Sequence, residues 1–355
     1  MLACESYLAA MLAGMREKSK QKLVVIGGGT GSFALLSGLK HYFGDITSLV
    51  NMVDDGGSTG VLRDELGVLP PGDVRQCLVA LSDAPETMRA LFNYRFPEGT
   101  FAGHSFGNLF LSAMERMTDD FDEAVAMASD VLKISGRVLP ITTDNCRLYM
   151  KIGERVVAGE SAVAEAVIDD PMQRPTLWIE PPARLSESAR EAIASADMIV
   201  IAPGNLYCAL VPSLLVDGVS EALQHSSAQV VYVANLVNKP QHTSGFSVVD
   251  YVDELERYIG APRIDMVLYN IDEPSPELLE RYALDGEYPV IVDKTSLKKQ
   301  HYQAIGGAFM KKDDIIVDEG ENNGDHKQDV RLKRSYIRHD GTAIAKQLRN
   351  LTISQ

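Results

Sequence analysis

The feature that most limits what this chain can fold into is a series of short, Val/Ile-rich runs of strand length separated by stretches with helical spacing. The runs are residues 23–26, 46–53, 198–202, 230–233, 266–269 and 290–292, while apolar residues recur every three or four positions over 33–43, 186–196, 207–224 and 248–259. Strands that are apolar on both faces and alternate with helices specify an α/β fold with a mainly parallel sheet covered on both sides. Residues 85–135 carry helical periodicity alone, so a helical insertion is expected there, and 148–159 read as two short strands around a turn. The polar, Gly-containing stretch at 318–328 reads as a mobile loop.

Composition narrows the function. Among 355 residues, 34 Lys and Arg stand against 49 Asp and Glu, a formal net charge of −15. Nucleic-acid affinity comes from cations displacing counterions around phosphates, so a strongly acidic chain points to small-molecule or protein partners and to no nucleic acid. Cys4, Cys77, Cys146 and Cys208 lie far apart without a C-x-x-C pair, which suggests neither a zinc site nor a disulfide framework and fits a reducing cytoplasm. The first residues place their basic groups after the apolar run, the reverse of a secretory signal, and no uninterrupted apolar stretch reaches membrane-spanning length. Residues 1–21 read as an amphipathic appendage suited to a subunit contact, and 22–350 as a single domain.

The strongest local signal follows the first run. In Gly27-Gly28-Gly29-Thr30-Gly31-Ser32-Phe33-Ala34, the residues Gly29, Gly31 and Ala34 satisfy G-x-G-x-x-G/A between a strand and a helix. Glycines let backbone N–H groups approach a phosphate, and the helix N-terminus adds a favourable dipole; a merely tight turn is the alternative. The Gly-Lys-Ser/Thr ending of a Walker A loop is missing. Asp54 stands 23 positions beyond Gly31, near where dinucleotide-binding folds keep a ribose-binding acid, and opens Asp54-Asp55-Gly56-Gly57-Ser58-Thr59-Gly60. Ribose binding, Mg2+ coordination, general-base work and capping of the Gly-rich turn all stay open for this pair. Two acids facing a phosphate loop would repel an anion unless a metal or an arginine joined them, and Arg63 and Arg75 are the arginines at hand. Asp73 reads first as a helix cap, with a catalytic role the alternative.

Gly103-His104-Ser105-Phe106-Gly107 matches G-x-S-x-G, but a nucleophile elbow needs a preceding strand and residues 95–100 look like a loop. Ser105 and Asn108 are read instead as donors at a polar helix N-terminus, and His104 as either site-facing or an ordinary buried histidine. Pro203-Gly204-Asn205-Leu206-Tyr207 makes a second anion-ready turn, with Tyr207 stacking on a base, bonding a phosphate or packing in the core. Asn235 and Lys239 lie on the polar exit of the 230–233 run, where Lys239 suits a phosphate. Residues 331–340 form the one basic cluster, in which Arg338 closes over a pyrophosphate or sits on a solvated face.

Together the segments 25–31, 53–60 with 62–67, 70–75, 103–109, 136–140 and 203–207 resemble the YvcK/CofD family, with its gluconeogenesis-factor branch the nearer match, over roughly residues 22–350. The resemblance implies a Rossmann-like three-layer α/β/α fold, commonly dimeric, and two activities. CofD-type members transfer a phospholactyl group from a guanylylated lactate to a deazaflavin with Mg2+. YvcK-type members resemble UDP-sugar-binding regulators of cell shape and wall synthesis during gluconeogenic growth, and the 64–73 block with 103–109 looks like this type. Asn205 and the run Asn238-Lys239-Pro240-Gln241-His242-Thr243 depart from that type's usual Gly-Pro-Gly-Ser-Leu-Tyr and Thr-Gln-Pro-Gly-Glu-Thr.

The resulting reading is a cytoplasmic nucleotide-sugar-binding regulator, a homodimer with a regulatory protein partner. Its ligand contacts are Gly28, Gly29, Thr30, Gly31, Asp54, Asp55, Ser58, Thr59, Arg75, Ser105, Asn108, Gly204, Asn205, Leu206, Tyr207, Asn235, Lys239, Tyr282 and Arg338. The transferase alternative keeps the same pocket and gives Asp54 or Asp55 a Mg2+ and a catalytic role. An NAD-linked oxidoreductase fares worse, because no acid/base group can be assigned.

Overall fold

The computed structural model describes residues 18–170, 173–311 and 337–353. It begins with β1 (Ser19–Gly27), the helix Gly29–Leu39 and β2 (Phe43–Val50). The helices Gly57–Leu66, Pro71–Leu81, Glu86–Asn93, Phe106–Thr118 and Phe121–Leu132 follow before β3 (Arg137–Pro140). β4 (Arg147–Ile152), β5 (Arg155–Ala158) and β6 (Thr176–Glu180) leave the main sheet to form a small antiparallel sheet. β7 (Met198–Ile201), β8 (Gln229–Val233), β9 (Met266–Asn270) and β10 (Gln303–Gly307) return to it.

Among the described residues the main sheet has seven strands in the order β10-β9-β8-β7-β1-β2-β3, and every pair is parallel. The chain winds outward from β1 in one direction, then restarts beside it at β7. Strand alternation sends successive side chains to opposite faces. In β1, Leu23 and Val25 join a core with Leu35 and Leu36, Leu78 and Ile344, from the helices Gly29–Leu39, Pro71–Leu81 and Gly341–Ile353. Val24 and Ile26 join the opposite core with Ile193, Val252, Leu255 and the Leu148 and Met150 face of the antiparallel sheet. That two-sided burial is why the central runs are continuously apolar rather than alternating. Among the described residues no helix is long and apolar enough to cross a membrane.

Several boundaries differ from the sequence reading. Residues 290–292 form no strand; the N–H groups of Val290 and Ile291 donate to the carbonyls of Leu236 and Phe246, and short bridges at Pro289 and Ile291 tie down the loop after β8. Pro289 lacks the donor a sheet interior requires. The edge strands missed from sequence are β3, which ends in Pro140, and β10, which ends in two glycines; neither is Val/Ile-rich. The single helix expected over 207–224 is a π-helix Leu206–Leu210, a turn Val211–Leu214 and a helix Val219–His225, broken at Gly218 with φ 95°. Ser19 already belongs to β1, so residues 19–21 are sheet and not appendage; residues 1–17 and the 318–328 loop lie outside the described residues.

The Gly341–Ile353 helix crosses the Gly29–Leu39 helix at backbone contact. A methyl on Gly38 would sit 2.2 Å from the Gly341 carbonyl, and one on Gly341 would sit 2.0 Å from the Ala34 oxygen. Only backbone meets it there, so nothing can rotate away. Gly38→Ala is therefore expected to lower stability by about 1–3 kcal/mol despite alanine's better helix propensity. Chemical denaturation checks this: an unchanged midpoint would mean that the two helices do not cross at this closeness.

Candidate functional site

Two strand-turn-helix connections meet where the sheet order reverses. The turn after β1 carries Gly28–Gly31, with Gly29 at φ 69°, a left-handed conformation that glycine adopts without strain. The turn after β7 faces it so closely that a methyl on Gly31 would lie 1.9 Å from the Pro203 oxygen. Asn235, two residues beyond β8, fixes the second turn from both sides: its Nδ2 donates to the Gly204 carbonyl at 2.7 Å and its Oδ1 accepts the Gly204 N–H at 3.4 Å. Between the turns lies a cleft of about 330 Å³, at the carboxyl edge of the sheet where open α/β folds bind ligands.

One wall of the cleft is Gly28, Gly29, Thr30 and Gly31; Gly204 and Asn205 form the opposite wall. The rest is acidic and polar: Asn51 and Asp54 from the exit of β2, Asp73 and Gln76 from the helix Pro71–Leu81, and Glu160 from the N-terminus of the helix Glu160–Glu165. Cys208 and Ala209 of the π-helix complete it.

Asp73 is the residue the sequence reading assigned wrongly. Pro70 is the N-cap of its helix and makes no side-chain cap bond, so Asp73 is not the cap. Its carboxylate packs on the first turn, where a Cβ on Gly28 would lie 2.0 Å from Oδ2, and it accepts a hydrogen bond from the Gly29 N–H. An internal carboxylate thus rests on the backbone donors that the motif offers to a phosphate. Burial and the repulsion of Asp54 push the Asp73 carboxyl up to about 7, against the opposing pull of that N–H bond and of Arg75. Burial, then repulsion by Asp54, likewise raises Glu160 to about 7. Asp54 is itself raised by burial, although the Gly56 N–H at 3.0 Å and the Thr59 hydroxyl both bond its carboxylate.

Asp55 turns the other way. Its two oxygens accept the N–H groups of Glu160 and Ser161 at 3.1 and 2.9 Å, so it caps the Glu160–Glu165 helix and does not line the cleft. The expected pair of inward acids is replaced by Asp54, Asp73 and Glu160, brought together from three segments. Among the described residues no arginine joins them at the lining. Arg63 bonds the Cys146 carbonyl and the Asn145 side chain, while Arg75 donates from Nε to Asn108 at 2.9 Å and from its terminal nitrogen to Asn93.

Of the expected contacts, Gly28, Gly29, Thr30, Gly31, Asp54, Gly204 and Asn205 line the cleft. Ser58, Arg75, Ser105 and Asn108 instead form a polar seam behind it: Ser105 caps the helix Phe106–Thr118 through the Asn108 N–H, Asn108 Nδ2 donates to Ser58 Oγ at 3.3 Å, and Ser58 Oγ lies 2.9 Å from His104 Nδ1. Leu206 and Tyr207 are buried in the core, Tyr207 meeting His242 edge to face. Lys239 pairs with Glu287 at 2.7 Å, and the Tyr282 hydroxyl accepts the Ile337 N–H at 3.0 Å. Arg338 lies on the surface, its carbonyl accepting the Lys311 N–H; residues 331–336 of the basic cluster lie outside the described residues. Asn51, Asp73, Gln76 and Glu160 escaped the sequence reading. The one available signal was Gly72 before Asp73, since a methyl there would meet Thr59 and Asp54 at 2.5 and 2.6 Å.

A parallel sheet with a Gly-rich turn at its switch point defines the Rossmann-like class of α/β proteins. Within that class the chain belongs to the CofD family, whose model, described as 2-phospho-L-lactate transferase CofD, matches residues 23–310. It is 37% identical over 334 residues to the gluconeogenesis factor of Bacillus subtilis, covering 94% of this chain and 98% of that protein. The gluconeogenesis factor of Halalkalibacterium halodurans is 38% identical over 300 residues, 84% of this chain and 92% of that one. A crystal structure of a UPF0052 family member from Bacillus halodurans matches with TM-score 0.82 at 33% identity, over 93% of this chain and 99% of that chain.

The raised acids carry a pH dependence. A carboxyl lifted from 3.8 to about 7 in the folded state contributes most below its unfolded value, and that contribution is lost as pH rises towards 7. In buffer with chelator, Asp73→Asn is expected to stabilise the protein by about 1–3 kcal/mol at pH 8 and by little at pH 4, with the difference growing between. Melting curves of both proteins across that range test it; a constant difference would show that Asp73 is ionised normally in the fold.

Proposed function

We propose that the cleft binds a nucleotide sugar, with UDP-sugars the first class to examine, and that the chain is a cytoplasmic regulator whose ligand occupancy is read by a protein partner. The observation that carries this reading is the facing pair of turns, Gly28–Gly31 and Gly204–Asn205, across one cleft at the switch point. Backbone N–H groups of the first turn would hold a diphosphate, which must take the place of the Asp73 carboxylate at Gly29. The gluconeogenesis-factor naming of relatives that cover most of the chain supports a regulatory role, extended here to cell shape and wall synthesis under gluconeogenic growth. A ligand with higher affinity for one conformation shifts the population towards it, and a homodimer would transmit that shift to its partner.

The acidic lining favours one alternative, a Mg2+-dependent phospholactyl transferase. Among the described residues no group of three or more His, Cys, Asp and Glu side chains is arranged to hold a metal ion. Mg2+ commonly takes only one or two carboxylates and completes its shell with water and phosphate, and the hard oxygens of Asp54 and Asp73 fit that need. Bound there, the ion would neutralise charge on the diphosphate. Asp54 and Asp73 would orient it, while the glycine turns would hold the donor.

Thermal unfolding against UDP-N-acetylglucosamine, UDP-glucose, NAD, GDP and a deazaflavin alcohol, each with Mg2+, separates the readings. A ligand at about one hundred times its dissociation constant adds roughly 2.7 kcal/mol of stability. The expected result is a shift confined to UDP-sugars, without turnover. A shift with GDP or the deazaflavin and none with UDP-sugars would replace the regulator with the transferase. In that case Asp54→Asn or Asp73→Asn is expected to abolish phospholactyl transfer while substrate binding is mostly kept.

A further inference from the structure

Two side-chain carbonyls at the cleft have no donor among the described residues. Asn51, the first residue beyond β2, is 2% exposed, and its Nδ2 donates to the Cys208 carbonyl of the π-helix at 3.1 Å. A carbonyl can accept only from the NH2 end of the amide, so this bond fixes which end is which. Asn51 Oδ1 is left buried without a partner. Asn205, the N-cap of the same π-helix, shows the same deficit: its side chain caps nothing, and its Oδ1 is buried and unpartnered. Both residues line the cleft. Most buried polar atoms in folded proteins find a partner, so two unmet acceptors at one site call for an explanation.

The surrounding chemistry says what would meet them. The carboxylates of Asp54, Asp73 and Glu160 are acceptors when ionised, and no Lys, Arg or His lines the cleft among the described residues. Donors are supplied by the backbone of the glycine turn. A ligand that suits this lining carries phosphate for the turn and hydrogen-bond donors beside it. Adjacent strands lie roughly 4.8 Å apart, so a residue one strand over from the phosphate turn addresses whatever is bonded directly to the phosphate. In a nucleotide sugar that neighbour is a sugar ring with vicinal hydroxyls, the ribose on one side and the hexose on the other.

We infer that Asn51 and Asn205 are specificity residues that accept hydrogen bonds from the hydroxyls of a sugar ring joined to the bound phosphate. This rests on the nucleotide-sugar reading above and adds to it the two residues that discriminate. Asn51 has a further consequence: because its other end holds the Cys208 carbonyl, a hydroxyl on Oδ1 is coupled through one planar amide to the first turn of the π-helix. Asn205 makes no side-chain bond that the fold needs, so its removal is the cleaner test.

Isothermal titration of the full chain with UDP against 2′-deoxy-UDP, and with UDP-glucose against UDP-2-deoxyglucose, reads the two sugar sources separately. The expected result is a loss of about fivefold to tenfold in affinity for one deoxy analogue, the worth of one hydrogen bond. Asn205→Ala and Asn51→Ala are each expected to weaken the parent ligand, and the one whose carbonyl accepts that hydroxyl's single proton is expected to erase the difference; circular dichroism checks Asn51→Ala for folding, with Asn205→Ala, expected to melt no lower than the original, as the arm that does not depend on it. Equal affinities for parents and deoxy analogues, or a penalty that persists in both variants, would overturn the assignment while leaving nucleotide-sugar binding intact. If neither UDP nor UDP-glucose binds, the underlying reading fails and the assignment fails with it.

Discussion

The approach of one backbone turn to another across the switch point governs the rest of the molecule. With no side chain at Gly31, the connection after β1 lies against the Pro203 carbonyl, and a single methyl would collide with it. Two strands that are neighbours in the sheet but far apart in sequence therefore end in turns that share one space. Asn235 holds the second turn by bonding both the N–H and the carbonyl of Gly204, and the Tyr232 hydroxyl bonds Asn235 in turn. The cleft is consequently built on rigid strand ends, with side-chain buttresses behind each wall.

The electrostatics of that cleft are opposite to those of a simple phosphate pocket. Asp54, Asp73 and Glu160 crowd their charge towards the glycine turn, and each has its proton affinity raised first by burial and further by a neighbouring acid, while at Asp54 the Gly56 and Thr59 bonds oppose the rise. Arg75 is near enough to oppose the rise at Asp73, yet it is spent on Asn93 and Asn108. A group of acids at a binding surface stores unfavourable free energy, because ionised forms repel one another in a poorly solvated space. Protons, a divalent cation or a ligand rich in hydrogen-bond donors each relieve it. The glycine turn and the acids together put backbone donors and ionisable acceptors into one cleft.

The fold was legible in the chain because its signals are local. The central runs are apolar on both faces, and the helices between them keep their period; this is enough to specify a parallel sheet, though not its edges, where Pro140 and the glycines of β10 dilute the pattern. The two glycine turns were legible for the same reason, as a strand, a turn and a helix in succession. Asp73 and Glu160 were not, since each reads from its own neighbours as a residue in a helix's first turn and reaches the cleft only through tertiary packing. Asp54 and Asp55 show the limit most directly. They are adjacent and chemically identical, yet one faces the cleft and the other caps a helix more than 100 residues further on. Tyr207 and Lys239 were chosen for what their side chains can do, and the structure uses them for packing and for an ion pair with Glu287.

The crossing of Gly38 with Gly341 joins the beginning of the chain to residues made about 300 positions later. Leu35, Leu36 and Leu39 of the helix behind the glycine turn share a core with Ile344, Ala345 and Leu348. On the ribosome, that helix emerges early and then waits with this flank uncovered until the final described helix has been synthesised. The glycine turn is thus made about 300 positions ahead of the helix that completes its backing, so a fragment that stops short of Gly341 leaves an apolar helix face at the rim of the cleft without its cover.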